Sequence, residues 1–160
     1  SDNLLYGEFH ENSKHTTPIP YMKPIYDALE KNRGKVIYFD FWARWCPPCL
    51  AEMEPLKQLR SKFSTDDLII YSICVSEPKE QWEECLNEYS LKNRGIECVH
   101  VTDYLGIDNY QKIRKQWKID RMPYYILINR KGQIIDFGTA ARPSNPQLVS
   151  RIEEAVKDTK

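Results

Sequence analysis

The chain has 160 residues, of which 41% are hydrophobic, and its 23 basic and 23 acidic side chains cancel. That length favours one domain with a sizeable core, and the charge balance argues against nucleic acid or an anionic membrane surface as the main partner. No apolar run approaches the roughly 20 residues of a membrane span, and the negative mean hydropathy fits a globular protein. Position 1 is Ser and no signal-peptide pattern is present, so a processed or trimmed piece is expected. Five cysteines are too few for a disulfide-stapled scaffold, and an odd number leaves at least one outside any intramolecular disulfide.

Residues 1–24 are polar and irregular apart from Leu4, Leu5, Tyr6 and Phe9, and Pro18, Pro20 and Pro24 keep the stretch extended. They are expected to form a leading segment over a sheet edge, with the folded domain at 25–160. Pro24 suits the first turn of a short helix carrying Ile25, Ala28 and Leu29 on one face, and Gly34 is a natural stop. Val36 to Trp42 is a run of β-branched and aromatic residues interrupted by Asp40, the pattern of a buried strand. A helical stripe of Leu50, Met53, Leu56 and Leu59 follows, with Pro55 expected to kink it. Leu68 to Val75 is a second buried strand, and a strand–helix–strand order makes the pair parallel.

Ser76 is a candidate cap for a helix in which Trp82, Cys85, Leu86 and Tyr89 share one face. A short strand is expected at 96–101 and a helix at 109–117, with Tyr110, Ile113 and Trp117 on one side. Tyr124 to Asn129 and Gln133 to Phe137 form a hairpin about the turn Asn129-Arg130-Lys131-Gly132. Ser144 or Asn145 caps the last helix, whose packing face is either Leu148, Ile152 and Ala155 or Val149, Ile152 and Val156.

The chemistry sits where the first strand ends. Cys46-Pro47-Pro48-Cys49 opens a helix, and cysteines at i and i+3 in a first turn have Cα atoms roughly 5 Å apart, within disulfide reach. Unpaired N–H groups and the positive end of the helix dipole stabilise a thiolate there. Cys46, nearer the tip, is the expected nucleophile, exposed and acidic. Cys49, one turn inside, is the expected resolving thiol. Arg44 adds positive charge nearby. Asp40, six residues before Cys46, is either a carboxylate that merely pairs with a base or faces solvent, or a buried one whose raised pKa suits it to exchange a proton with Cys49. Glu52 lies on the same side of the helix as Cys49, and is either an ordinary first-turn acid or a charge that raises the thiol pKa values.

Phe39-Asp40-Phe41-Trp42-Ala43-Arg44-Trp45-Cys46-Pro47-Pro48-Cys49 resembles the active-site stretch of thioredoxins. The continuation Leu50-Ala51-Glu52-Met53 and the upstream Gly34-Lys35 resemble the TlpA/ResA branch of bacterial envelope thiol–disulfide oxidoreductases, as does the long stretch 76–118. The resemblance covers residues 25–158. It implies an α/β, three-layer thioredoxin-like fold with a central mixed sheet flanked by helices. It implies catalytic roles for Cys46, Cys49, Asp40 and Glu52. It also implies a cis bond at Met122-Pro123, with Trp45, Met122, Pro123 and Tyr124 at the substrate-docking surface. Protein thiols and disulfides are the implied substrates, with an upstream electron donor or acceptor, possibly membrane-bound, in the periplasm or envelope. No metal or organic cofactor is implied. Three departures stand out. Arg121 replaces the usual glycine two residues before the proline, Glu54 stands where relatives carry the helix proline, and strand 68–75 lacks the lysine that thioredoxins place near the carboxylate.

Other readings of the same residues are half of a zinc site, a scaffold without redox chemistry, and a thiol peroxidase. Zinc takes four ligands, and Cys74, Cys85, Cys98 and His100 form no second close pair in sequence. The peroxidase pattern needs Thr or Ser where Ala43 stands. A cytosolic relay of the tryparedoxin or nucleoredoxin kind shares the Trp-Cys-Pro-Pro-Cys string, and a protein-binding module with incidental redox activity is a further class. Cys74, Cys85 and Cys98 are expected as small core hydrophobes, with a second disulfide among them as the alternative.

Overall fold

The computed structural model describes residues 19–76 and 78–158. Five strands form one sheet: β1 (Val36–Trp42), β2 (Leu68–Cys74), β3 (Ile96–His100), β4 (Tyr124–Ile128) and β5 (Ile134–Gly138). The order across the sheet is β3-β2-β1-β4-β5. β1, β2 and β3 run parallel, and β4 and β5 return antiparallel. The helices are α1 (Lys23–Lys31), α2 (Pro47–Ala51), α3 (Met53–Lys62), α4 (Lys79–Glu88), α5 (Val101–Tyr104), α6 (Ile107–Gln116) and α7 (Pro146–Lys157). This is the α/β thioredoxin-like architecture.

β1 is central and every one of its residues is buried. Helices cover both faces of the sheet, which is why β1 reads as a continuous apolar run rather than an alternating one. Ile37, Phe39 and Phe41 pack with Ile25 and Leu29 of α1 and Tyr110 and Ile113 of α6. Val36 and Tyr38 face the opposite layer, Leu56 and Leu59 of α3 and Leu148, Ile152 and Ala155 of α7. Period-two alternation puts Asp40 and Trp42 on this second face, towards the end where the sulfur chemistry lies.

The helix expected across 50–59 is two helices, divided at Glu52 (φ −89, ψ 0). Pro55 falls in the first turn of α3, where its absent N–H has no intrahelical acceptor to lose. The break therefore comes three residues before the proline. Ser76 does not cap α4, whose N-cap is Pro78. The strand after it ends at His100, where the chain turns into α5 and the His100 ring accepts the Thr102 N–H. Asn145, not Ser144, caps α7 by accepting the Gln147 N–H, and Leu148, Ile152 and Ala155 form its buried face. Of the leading segment, Pro20–Met22 forms a 3-10 turn with Met22 buried in the core, and the Tyr21 hydroxyl donates to Gln116 of α6 at 2.8 Å. This short stretch packs against α6 and α1. Residues 1–18 lie outside the described residues.

Arg60 is a charged residue of α3 buried among apolar neighbours. Its guanidinium donates to the Leu68 carbonyl at 2.6 Å and to the Phe63 carbonyl at 2.8 Å, tying the end of α3 to the start of β2. Arg60→Met keeps the stem and strands both carbonyls. It is expected to cost about 2–3 kcal/mol in urea unfolding, and a loss within error of zero contradicts this.

Candidate active site

β1 delivers its last residue, Trp42, to the carboxyl end of the parallel strands, and a tight turn follows in which the Cys46 N–H donates to the Ala43 carbonyl at 3.1 Å. Cys46 is the N-cap of α2, in extended backbone, with Pro47 and Pro48 occupying positions whose N–H groups have no helical partner. Cys46 and Cys49 are disulfide-bonded with Cα atoms 5.3 Å apart. The Cys49 N–H points at the Cys46 sulfur at 3.3 Å. That donor stabilises a thiolate on Cys46 when the bond is open.

The expected contrast in exposure between the two sulfurs is not present. In the oxidised protein Cys46 is 4% exposed and Cys49 1%. Trp42, Ala43 and Met53 enclose them, and Met122 packs against the same cluster. Trp45 stands out from this cover at 68% exposure, one residue before the nucleophile.

The Met122–Pro123 peptide bond is cis. Tyr124 pairs with Phe41 in the antiparallel register, so β4 begins beside the end of β1 and brings Met122 to the sulfur cluster. The Pro123 carbonyl accepts the Thr139 hydroxyl at 2.9 Å. Arg121 is exposed and lies 3.8 Å from Asp120. Tyr124, expected at the docking surface, is a core residue: it is 4% exposed and its hydroxyl donates to the Trp117 carbonyl at 3.2 Å. Strand alternation turns it inward to the α6 layer.

Asp40 is 3% exposed, and burial drives its carboxyl from the ordinary range up to about 8. Among the described residues no lysine acts on it. Its register partner on β2 is Ser72, whose hydroxyl lies 3.4 Å from Asp40 Oδ2. The negative charge of Glu52 pushes Asp40 in the same direction as burial. Glu52 itself is held by Ser144, which gives it both its N–H (2.9 Å) and its hydroxyl (2.7 Å). The carboxylate thus clamps the α2–α3 junction to the loop before α7. Arg44 is turned towards α4, where its guanidinium meets Gln81 at 3.1 Å, and its backbone N–H donates to Ser76 Oγ at 2.9 Å. Its positive charge also acts on the Cys85 thiol of the cysteine cluster, opposing the effect of burial there.

Residues 25–156 match the Redoxin family. The chain belongs to the Redoxin family. The thiol-disulfide oxidoreductase ResA of Bacillus thuringiensis strain Al Hakam is 26% identical over 108 residues, 68% of this chain and 57% of that protein. The chain therefore spans little more than half the length of this relative. A solution structure from Bacteroides vulgatus, assigned provisionally as a thiol-disulfide oxidoreductase, is 32% identical, with a TM-score of 0.61 over 79% of this chain and 76% of that one. The thioredoxin domain of another Bacteroides vulgatus thiol-disulfide oxidoreductase superposes with a TM-score of 0.67 over 81% of this chain and 84% of that one, at 22% identity, a likeness of fold.

Three further thiols of this Redoxin-family chain are free. Cys74 and Cys85 are buried and Cys98 half-buried, and all three lie against the same cluster as the disulfide. Burial pushes each thiol up, Cys98 to about 11, which makes them poor nucleophiles at neutral pH. Among the described residues no group of three or more His, Cys, Asp or Glu side chains is arranged to hold a metal ion. His100 is a structural side chain, its Nε2 at 2.8 Å from the Ser76 carbonyl and its Nδ1 at 2.7 Å from the Thr102 hydroxyl. Sequence reasoning passed over Ser72 and Ser144. Both partner a carboxylate across the fold, and nothing in their neighbouring residues signals it.

Proposed function

We propose that this domain exchanges disulfides with protein substrates through Cys46 and Cys49. The observation that carries the reading is the bonded Cys46–Cys49 pair at the tip of α2, with the Cys49 N–H on the Cys46 sulfur and Met122 packed beside it. In the reducing direction the Cys46 thiolate attacks one sulfur of a substrate disulfide. The substrate's other sulfur leaves as a thiolate and takes a proton. Cys49 then loses its proton to the Asp40 carboxylate and attacks Cys46, and the second substrate sulfur leaves as a thiolate that takes up the proton from Asp40. The substrate gains two electrons and two protons, and the domain ends as the disulfide. A carboxyl raised to about 8 is a far stronger base than an ordinary carboxylate, which suits Asp40 to take a thiol proton.

The resemblance to the TlpA/ResA branch supports a place in the cell envelope, with an upstream two-electron donor held in the membrane returning the pair to the dithiol. No helix among the described residues is long and apolar enough to cross a membrane. Equilibration with glutathione buffers tests the direction. A potential near the thioredoxin value of about −270 mV supports reduction of substrates, and one near about −120 mV makes the domain an oxidant. Failure of the pair to equilibrate with glutathione overturns the proposal.

Exposed Trp45 is the anchor expected to hold a protein substrate against Cys46. Trp45→Ala is expected to raise KM for a protein disulfide about tenfold, the usual scale for an exposed aromatic anchor. Turnover of a small aromatic disulfide should stay within about twofold. Equal losses on both substrates would move Trp45 from docking to the chemistry.

A further inference from the structure

We infer that Ser72 is a positioning residue for Asp40, holding one hydroxyl proton on the carboxylate because Trp42 occupies its acceptor side. The inference rests on the proposed proton exchange between Asp40 and Cys49, and names what governs it in this chain.

The geometry is directional. The Trp42 indole N–H is a donor only, and it reaches Ser72 Oγ at 2.9 Å. Ser72 must accept there. A hydroxyl has a single proton, and among the described residues its other hydrogen-bond partner is Asp40 Oδ2 at 3.4 Å, which accepts that proton whenever the carboxyl is ionised. In the ionised state the order Trp42 to Ser72 to Asp40 therefore follows from chemistry. All three side chains are buried, so water does not compete for the hydroxyl. The parallel register that sets Asp40 against Ser72 also sets Trp42 two residues further along the same face. Trp42 packs in the cluster that contains Cys46 and Cys49, so the relay starts on the wall of the disulfide.

The other ionisable groups acting on Asp40 do not supply a donor. Glu52 at the α2–α3 junction is engaged with Ser144, the Tyr38 hydroxyl of β1 donates to the Ala141 carbonyl at 2.6 Å, and the Cys74 thiol faces Ser76. Cys98 of β3 approaches the Leu91 carbonyl. Tyr125 of β4 is the register partner of Asp40 on the opposite side, with its ring stacked on Tyr38. Ser72 is the hydrogen bond recorded on the carboxylate among the described residues. It favours the charged form and opposes burial, so Asp40 ionises at a lower pH than its surroundings alone would allow.

The test titrates the Asp40 carboxyl by 13C NMR in the full domain, alongside the pH profile of mixed-disulfide resolution. Ser72→Ala removes the donor, and the Asp40 midpoint is expected to rise by about one pH unit. The kinetic profile should move by the same amount. Ser72→Thr keeps a hydroxyl and should restore the wild-type midpoint. Trp42→Phe releases the acceptor side and should shift the midpoint upward by less than Ser72→Ala. In an Asp40→Asn background, Ser72→Ala should leave the kinetic profile where it is. An unmoved carboxyl midpoint in Ser72→Ala overturns the inference, as does a kinetic shift that persists in Asp40→Asn. If the midpoint moves and the kinetic profile does not, Ser72 positions Asp40 but the proton exchange with Cys49 is wrong.

Discussion

Replacing Cys46 by serine is expected to abolish disulfide exchange, lowering the rate on any disulfide by at least about a thousandfold. A serine hydroxyl is not ionised at neutral pH and forms no bond to sulfur that the next step can break. Cys49→Ser has the opposite character. The attack by Cys46 is untouched, but nothing resolves the product, so a stable adduct with substrate should accumulate and be visible by mass spectrometry. The two variants separate the roles because the structure places the Cys49 N–H on the Cys46 sulfur and no equivalent donor is recorded on that of Cys49. An adduct in Cys46→Ser and none in Cys49→Ser would exchange the assignment. Low exposure of Cys46 belongs to the oxidised pair, whereas the two variants report on the dithiol.

Asp40→Asn is expected to be more stable than the wild-type protein at alkaline pH, while resolving mixed disulfides more slowly. Burial raises the folded carboxyl to about 8 from its ordinary 3.8. Between those values the folded chain holds a proton that the unfolded chain has lost. The stabilisation tied to that proton is complete below about pH 4, falls as pH rises, and is gone above about pH 8. The full span corresponds to at most about 6 kcal/mol. Asparagine is uncharged throughout and should remove the slope. Urea unfolding of the oxidised proteins at pH 5 and pH 8.5 checks this. Parallel pH dependence of the two proteins would mean that Asp40 is not buried as an ionisable group. The slower resolution is expected because asparagine cannot take the proton of Cys49, and the deficit should shrink as pH rises and the thiol ionises unaided.

Burial of this carboxylate is what the sequence made visible. An acid within Val36 to Trp42 breaks an otherwise apolar run, and a residue in the middle of a doubly covered strand has nowhere to point but the interior. The Cys-x-x-Cys spacing was equally plain, because one helical turn brings residues i and i+3 into bonding reach whatever surrounds them. Pro55 misled for a related reason: a proline inside a periodic stripe signals a kink, but the signal does not say that the helix has already ended three residues earlier, at Glu52. Tyr124 misled because a docking role was carried over with its neighbour Pro123, while side-chain alternation sends the tyrosine to the opposite layer.

What the sequence by itself determined is what local spacing sets: the strand β1, the cysteine pair at the start of a helix, the hairpin of β4 and β5, and the apolar face of α1. Those features depend on periods of two and 3.6 residues and on turn chemistry, which are properties of a short stretch of chain. The tertiary structure alone decided the company each polar group keeps. Ser72 meets Asp40 across 32 residues, Ser144 meets Glu52 across 92, and Arg44 turns to Gln81 across 37. Such partnerships follow from strand order and register, where a slip of one residue would turn Asp40 to the other face and part it from Ser72. Strand order and register are set by the packing of the whole core, and no local stretch encodes them.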